Sequence, residues 1–361
     1  MSMIEYQVIG NENGLLAIFH KDNPDVPVSD WWPSIISCGV LSGKSRYYMV
    51  ANDEIYGKHA IFSIDDPATP VSKWWKWIEF AGLINGQTHY YIAQHFKDKK
   101  AIFHISDPNQ PISQWWGDIL SDGVVQGMSD YYIAKFIGQY AIFHKDQPDQ
   151  PISQWWSMVS PTGLVRGESK FCLVRNYRKQ YAILYRDVLN NPITDYYREL
   201  SSIGLVNGTS LCYVGKKDES SFVQVFHIDD IDVPLYQLPI RDVGLVVYAD
   251  SEYAIYIDQY HDRLMKYDTI SNKSTGIAFL PTEMRQLIIN HYIVDALQSN
   301  QLISQYMNYD FLPICLKDNK CYLFSTKGEL INNFDNVIAL QEYIRQLIVK
   351  EYTNPDIIRL Y

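Results

Sequence analysis

The sequence of 361 residues predicts an all-β fold built from a repeated unit of about 41 residues. Close copies of the stretch 141–156 recur at steps of 40 to 43 residues, opening at Ala17, Ala60, Ala101, Ala182 and, in a more divergent form, Gln224. Each copy carries short alternating apolar runs separated by turn residues, which is the pattern of β-strands. A period of about 40 residues with three or four short strands is typical of β-propellers. We therefore predict a β-propeller of about seven blades with a C-terminal α+β tail.

Seven β-hairpins support this prediction. The first joins residues 4–9 to residues 15–20 through Asn13-Gly14, a pair that tolerates positive φ. The other six pair 46–50 with 60–63, 90–93 with 101–104, 131–134 with 141–144, 171–174 with 182–185, 211–214 with 222–227, and 253–256 with 264–267.

Every hairpin after the first follows a short apolar stretch that we predict to be a strand opened by glycine. These stretches begin at Gly39, Gly82, Gly123, Gly163, Gly204 and Gly244. The first five reach a second glycine, which we expect in a tight turn with positive φ, at positions 43, 86, 127, 167 and 208. Because the first hairpin lacks such a strand, we expect the two ends of the chain to close a ring.

A proline-rich link and an aromatic pair follow each hairpin. The pairs are Trp31-Trp32, Trp74-Trp75, Trp115-Trp116, Trp155-Trp156 and Tyr196-Tyr197, each preceded by Ser or Thr at position 29, 72, 113, 153 or 194. Ser and Thr in this place are typical helix N-caps, which favours one or two helical turns. A fourth, outer strand is the alternative, and so few residues do not decide between the two.

The stretch Ile61-Phe62-Ser63-Ile64-Asp65-Asp66-Pro67-Ala68-Thr69-Pro70-Val71, with strands such as Tyr90-Tyr91-Ile92-Ala93, resembles the LVIVD class of bacterial propeller repeats. The resemblance covers roughly residues 1–235 and implies a propeller fold without an assured activity. Two features depart from that class. The Trp pairs are not part of its pattern, and its strand-end Asp is replaced by His20, Ser63, His104, His144, Tyr185 and His227.

The repeat pattern changes near Ser271. We predict that residues 1–270 form the propeller and that residues 271–361 form a segment that packs on it or closes it. This segment contains a predicted helix over 284–307, a hairpin over 312–324 and an amphipathic helix over 336–352. It is either a small α+β appendage, or its hairpin is an eighth unit after a helical insertion.

Composition limits the kind of partner. A net charge of -10 argues against nucleic acid or an anionic membrane as a ligand, and it would attract a basic partner. The sequence has no signal peptide and no apolar run of roughly 20 residues, so we expect a cytoplasmic protein. Its five cysteines form no CxxC pair, and we expect Cys172 and Cys212 to fill the core.

Two sets of repeated side chains are candidate functional residues. The histidines at 20, 104, 144 and 227 are equivalent by repeat and could line a common mouth, although an imidazole that only bonds its own strand is the stronger interpretation. One aromatic residue of each pair is expected in the core between blades, and its neighbour is expected to be partly exposed. The candidate contact residues for a partner protein or a glycan are Trp32, Trp75, Trp116, Trp156, Tyr197, His104 and His144.

No motif names a reaction, and we expect neither a cofactor nor a metal. The leading hypothesis is a non-enzymatic scaffold that binds another protein, as a bacterial inhibitor or immunity-type protein that occludes a basic partner. One alternative is a multivalent lectin that uses the repeated Trp residues. Another is an enzyme with a site at the propeller mouth near His104 and His144.

Overall fold

The computed structural model forms two compact units. Unit 1 comprises Met1–Lys179 and Leu184–Pro192, and unit 2 comprises Gln180–Ile183 and Ile193–Tyr361. The structure describes residues 5–52, 58–95, 97–120, 123–206, 208, 210–219, 221–243, 246–258, 263–279, 311–315, 321–325, 330–336, 338–340, 342–343 and 346.

Unit 1 contains four small antiparallel sheets that follow one another along the chain. Sheet 1 is ordered β1-β2-β3, sheet 2 β4-β5-β6-β7, sheet 3 β8-β9-β10-β11 and sheet 4 β12-β13-β14. The strands are β1 Tyr6–Gly10, β2 Leu16–His20, β3 Asn23–Pro27, β4 Ser34–Ile36, β5 Tyr47–Asn52, β6 Lys58–Ser63, β7 Asp66–Pro70, β8 Trp77–Glu79, β9 Tyr90–Gln94, β10 Lys100–His104, β11 Asp107–Pro111, β12 Asp118–Leu120, β13 Tyr131–Phe136 and β14 Gln139–His144.

The same arrangement continues in the rest of the chain. Sheet 5 is ordered β15-β16-β17, sheet 6 β18-β19-β20-β21, sheet 7 β22-β23-β24-β25 and sheet 8 β26-β27-β28. Their strands are β15 Met158–Val159, β16 Phe171–Arg175, β17 Tyr181–Tyr185, β18 Glu199–Ser201, β19 Cys212–Lys216, β20 Gln224–His227, β21 Asp230–Gln237, β22 Val246–Ala249, β23 Tyr253–Asp258, β24 Arg263–Asp268, β25 Lys273–Phe279, β26 Phe311–Cys315, β27 Cys321–Ser325 and β28 Leu330–Phe334.

These eight sheets in the described residues give an all-β fold of the β-propeller class. The eighth sheet contains the hairpin predicted over 312–324, where Phe311 pairs with Ser325 and Cys315 with Cys321, and β28 adds a third strand. The helix predicted over 284–307 lies outside the described residues. Of the last predicted helix, the described residues 338–340, 342–343 and 346 are helical. The division at residue 270 stays a prediction.

The predicted hairpins form the central strand pair of each sheet. In sheet 4, for example, Tyr131 pairs with His144 and Ala134 with Ala141. Consecutive residues of such a pair, which point to opposite faces of the sheet, are all buried, as Tyr132, Ile133 and Ala134 are. Burial on both faces explains why the central strands read as nearly continuous apolar runs. None of the described helices is long and apolar enough to span a bilayer.

The proline-rich links of the first three sheets are edge strands rather than connections. In sheet 2 the link is β7, which pairs with β6 only at Pro70 opposite Phe62 and at Asp66 opposite Ser63, with a bulge between. Proline lacks an N–H group and is tolerated at an edge and at a bulge, where no ladder bond is lost.

In the sixth glycine-opened stretch, Val246 begins strand β22, and residues 244–245 lie outside the described residues. The first five stretches are not strands, and for them the prediction is wrong. They form the short helices α1 Cys38–Leu41, α2 Ala81–Ile84 and α3 Ile203–Val206, or turns at 123–127 and 163–167. The glycine is needed for close packing between sheets. A Cβ on Gly39 would lie 1.6 Å from the Ile84 carbonyl oxygen, and one on Gly82 would lie 2.2 Å from that of Val125. The second glycines do adopt the predicted positive φ, between 68° and 72°.

The Ser or Thr before each aromatic pair caps no helix, which corrects the N-cap prediction. Its buried hydroxyl accepts a hydrogen bond from the N–H of a central-strand isoleucine, as Ser113 does from Ile102 at 2.9 Å. The equivalent pairs are Ser29 with Ile18, Ser72 with Ile61, Ser153 with Ile142, and Thr194 with Ile183. The residues after the Ser or Thr therefore run alongside the central strand instead of starting a helix.

The aromatic pairs form neither a helical turn nor a full outer strand. The second member of each makes an isolated bridge to the start of a central strand, at Leu16–Trp32, His59–Trp75, Lys100–Trp116, Tyr140–Trp156 and Tyr181–Tyr197.

Candidate interaction surface

The tryptophans of unit 1 form a series of ring contacts that we call the aromatic belt, comprising positions 32, 74, 75, 115, 116 and 155. The second member of one pair contacts the first member of the next. Ring centroids lie 5.8 Å apart for Trp32–Trp74, 5.8 Å for Trp75–Trp115 and 6.0 Å for Trp116–Trp155. The belt therefore connects sheets that are consecutive along the chain.

Burial separates the two members of each pair. The second members Trp75, Trp116, Trp156 and Tyr197 are buried, and Trp32 is half-buried. The first members are half-buried at 31, 74, 115 and 155, and Tyr196 is exposed. The sequence analysis selected the second members as contact residues, and this choice does not fit their burial. Sequence alternation could not identify the exposed member, because both rings are equally apolar.

The repeated histidines stabilise the loops that follow them. His144 Nδ1 accepts a hydrogen bond from the Asp146 N–H at 3.3 Å, and its ring lies edge-on to Tyr131 at 5.2 Å. His104 makes the same bond to the Ser106 N–H at 3.2 Å. Burial, and then the nearby His89, lower the pKa of His104. Among the described residues, no three His, Cys, Asp or Glu side chains are placed to hold a metal ion.

The central strand pairs give unit 1 two opposite ends. We call the end with the two-strand turns 11–15, 95–99, 136–139 and 176–180 the hairpin end. We call the end with the loops after the second central strand, near residues 20–23, 63–66, 104–107, 144–147 and 185–188, the loop end. Because the strands are antiparallel, every sheet contributes to both ends.

The loop end is acidic and contains a cavity. Exposed carboxylates follow the strand ends at Asp22, Asp65, Asp146 and Asp187. A cavity of about 560 Å³ is lined by Tyr131, His144, Gln147, Ile152 and residues 186–191. Arg186 lies in this lining, with its Nε 3.4 Å from Asp187 Oδ1. The cavity brings the predicted contact residue His144 next to acidic groups.

The hairpin end of sheets 3 to 5 has the opposite charge, which the whole-chain charge concealed. Apart from residue 96, its turns and flanks 95–100, 135–140 and 175–180 contain seven Lys or Arg residues and one Asp. Large apolar side chains are exposed between them, with Phe136 51%, Ile137 84% and Tyr177 78% accessible. The sequence analysis missed this surface. The sequence feature that could have revealed it is the turn Phe136-Ile137-Gly138, which places two apolar residues between two buried strands.

Comparisons with known proteins add little to this geometry. No protein-family model and no curated protein matches the chain. Among solved structures, a Kluyveromyces lactis Hsv2 with loop 6CD replaced by a Gly-Ser linker is 8% identical, with coverage of 78% of this chain and 86% of that one and a TM-score of 0.31. BBS1N in complex with ARL6DN is 9% identical, with coverage of 75% and 84% and a TM-score of 0.29. At these identities and TM-scores the likenesses carry no argument, and the description of the fold rests on the eight antiparallel sheets of the described residues.

Proposed function

We propose that this chain is a non-enzymatic scaffold that binds another protein through the loop end of unit 1. The observation that carries the proposal is a cavity of about 560 Å³ beside exposed carboxylates on loops held by backbone hydrogen bonds. Charge complementarity directs such a surface towards a basic partner and raises the association rate. Covering the partner's basic surface would be the action of an inhibitor or immunity-type protein.

The cavity has the features of a contact site. Its volume is in the range of pockets that hold a ligand or an inserted side chain, and its lining combines apolar Ile152 and Leu189 with the polar groups of Gln147 and Arg186. A basic side chain of the partner would meet Asp146 and Asp187 at the rim, both more than half exposed. Rim charges of this kind set the association rate and its salt dependence more than the affinity.

Neither alternative has an observation in its favour. A lectin that stacks sugars on the second tryptophans would need exposed ring faces, and Trp116 and Trp156 are buried. An enzyme near His104 and His144 would need a free imidazole nitrogen aimed at a substrate. The Nδ1 atoms of both histidines accept bonds from their own loops and leave only Nε2 of each ring, and the cavity is lined by His144 but not by His104.

The test is capture of a partner from the native cells with the tagged chain as bait. We expect a protein, identified by mass spectrometry, that is retained by the wild type and lost from a double variant with Asp146→Lys and Asp187→Lys. The control is Asp22→Lys, a charge reversal at a more exposed carboxylate that follows sheet 1 and lies outside the cavity lining. Binding of the purified pair should weaken as salt is raised. A partner retained equally by the double variant would contradict the placement at this cavity.

A further inference from the structure

Ile137 is in a conformation that its own chemistry disfavours. It lies at φ +47° in the two-residue turn of sheet 4, followed by Gly138 at φ +77°. A β-branched residue with positive φ is an outlier, and such turns favour Asn, Asp or Gly at this position. With 84% of Ile137 accessible, packing does not compensate. An exposed β-branched residue in this conformation is a candidate for contact with something outside the chain.

We call three exposed apolar residues on the neighbouring hairpin turns of sheets 4 and 5 the tip: Phe136, Ile137 and Tyr177. The Phe136 ring rests on the aromatic belt, 6.2 Å from Trp116 and 6.1 Å from Trp155, so the base of the tip is held by the core. Tyr177 belongs to the neighbouring hairpin of sheet 5.

Basic residues adjoin the tip residues in the chain. Arg178 lies over the Tyr177 ring at 5.6 Å, Lys179 follows it, and Lys135 precedes Phe136. We call these three cations the basic collar of the tip.

The loop end of the same two sheets has complementary properties. The loop-end cavity combines the apolar groups of Ile152, Val188 and Leu189 with the ion pair of Arg186 and Asp187, and Asp146 lies two residues after its lining residue His144. Val188 is 48% accessible, so apolar surface is exposed at the opening. A tip with a basic collar and a cavity of mixed lining with Asp187 in that lining and Asp146 nearby thus lie at opposite ends of the same strands, about 20 Å apart for six residues.

We propose that the tip of one copy docks in the loop-end cavity of a second copy, which gives head-to-tail assembly. Two hairpin ends cannot pair with each other favourably, because their basic collars repel. Insertion of the tip would bury Phe136 and Ile137 and place Arg178 and Lys179 against Asp146 and Asp187. Such a contact is heterologous, so it adds copies in one direction instead of closing a two-fold dimer.

The proposal rests on the proposed function, because it names a second copy as an occupant of the same cavity. The assay is sedimentation velocity of the full chain over a series of concentrations and salt levels. We expect the mean mass to rise with concentration and to fall with added salt. Ile137→Asn should weaken self-association about tenfold or more, because an apolar anchor is lost. The same variant should raise the thermal midpoint, because Asn accepts positive φ more readily.

A matched control and a mixing experiment make the test decisive. Ile270→Asn changes another isoleucine in a turn, 93% accessible, and should leave self-association unchanged. At a concentration where the wild type has just assembled, Ile137→Asn and Asp187→Lys should each be mainly monomeric, whereas their mixture should form a dimer and nothing larger, since only one intact tip and one intact cavity can meet. A monomeric wild type, an Ile137→Asn variant that assembles like the wild type, or a monomeric mixture would overturn the proposal. Capture of a foreign partner by Ile137→Asn would still support the proposed function, so the two failures are distinguishable.

Discussion

Replacing Ser113 by alanine tests the hydrogen bond that recurs between the aromatic pairs and the central strands. The Ser113 hydroxyl accepts from the Ile102 N–H at 2.9 Å and donates to the Gln114 carbonyl at 3.0 Å. Both Ser113 and Ile102 are buried, so water cannot replace the lost hydroxyl. The Ile102 carbonyl keeps its own bond to the Ile112 N–H, and the Gln114 carbonyl that also loses the hydroxyl belongs to an exposed residue, so the Ile102 N–H is the one buried donor left unpaired.

The expected cost follows from that single unpaired donor. A buried N–H group left without an acceptor costs about 1–3 kcal/mol, and we expect about 2 kcal/mol for Ser113→Ala. The free energy of unfolding would be measured by urea denaturation, with tryptophan fluorescence and circular dichroism as independent probes.

The repeats supply the control. Thr194 accepts the equivalent bond from Ile183 at 3.1 Å, so Ser113→Thr should restore most of the lost stability. The reasoning fails if Ser113→Ala stays within about 0.5 kcal/mol of the wild type, the range of changes that remove no specific interaction. It also fails if the threonine variant is as unstable as the alanine variant.

Three further predictions concern packing, reactivity and pH. Gly82→Ala should lower the free energy of unfolding in urea by about 3 kcal/mol or more, because its Cβ would lie 2.2 Å from the Val125 carbonyl oxygen. Gly10→Ala is the control and should cost under about 1 kcal/mol, because the nearest atom to its Cβ would be 3.5 Å away. Burial raises the pKa of the Cys172 thiol to about 12, so iodoacetamide at pH 8 should label the exposed Cys38 and leave Cys172 unmodified in the folded chain, as read by peptide mass spectrometry. The pKa of His104 lies below its ordinary 6.5, so the folded state binds this proton less readily than the unfolded state. The free energy of unfolding should therefore fall as the pH drops through 6.5, and His104→Gln should reduce that fall. Labelling of Cys172 in the folded chain would contradict the prediction on reactivity. An NMR titration of His104 with a midpoint above 6.5 would contradict the prediction on pH.

Local patterns predicted the repeated elements because their causes are local. The hairpins follow from alternation and turn residues, and the second glycines follow from the need for positive φ at Gly43 and its equivalents. Cys172 and Cys212 are buried, as their place among the repeats predicted.

The errors arose where a neighbouring sheet decides the structure. A Gly-Val-Leu stretch is a reasonable strand by composition, and it becomes a helical turn because Gly39 packs against the backbone of the next sheet. Ser113 looks like an N-cap until the strand that it bonds is known. The segregation of charge between the two ends was also invisible in a sum over the chain, because Lys135 and Asp146 are only eleven residues apart yet lie at opposite ends of one strand pair.

The aromatic belt has an optical consequence. Indole rings at 5.8–6.0 Å exchange excitation energy faster than they emit light, so fluorescence excited at any one of these tryptophans is shared along the series Trp32–Trp74, Trp75–Trp115 and Trp116–Trp155. Their transition dipoles also couple, and separation of two consecutive sheets would remove one coupled pair from the ultraviolet circular dichroism. The chain therefore carries a built-in spectroscopic reporter of whether its modules remain docked.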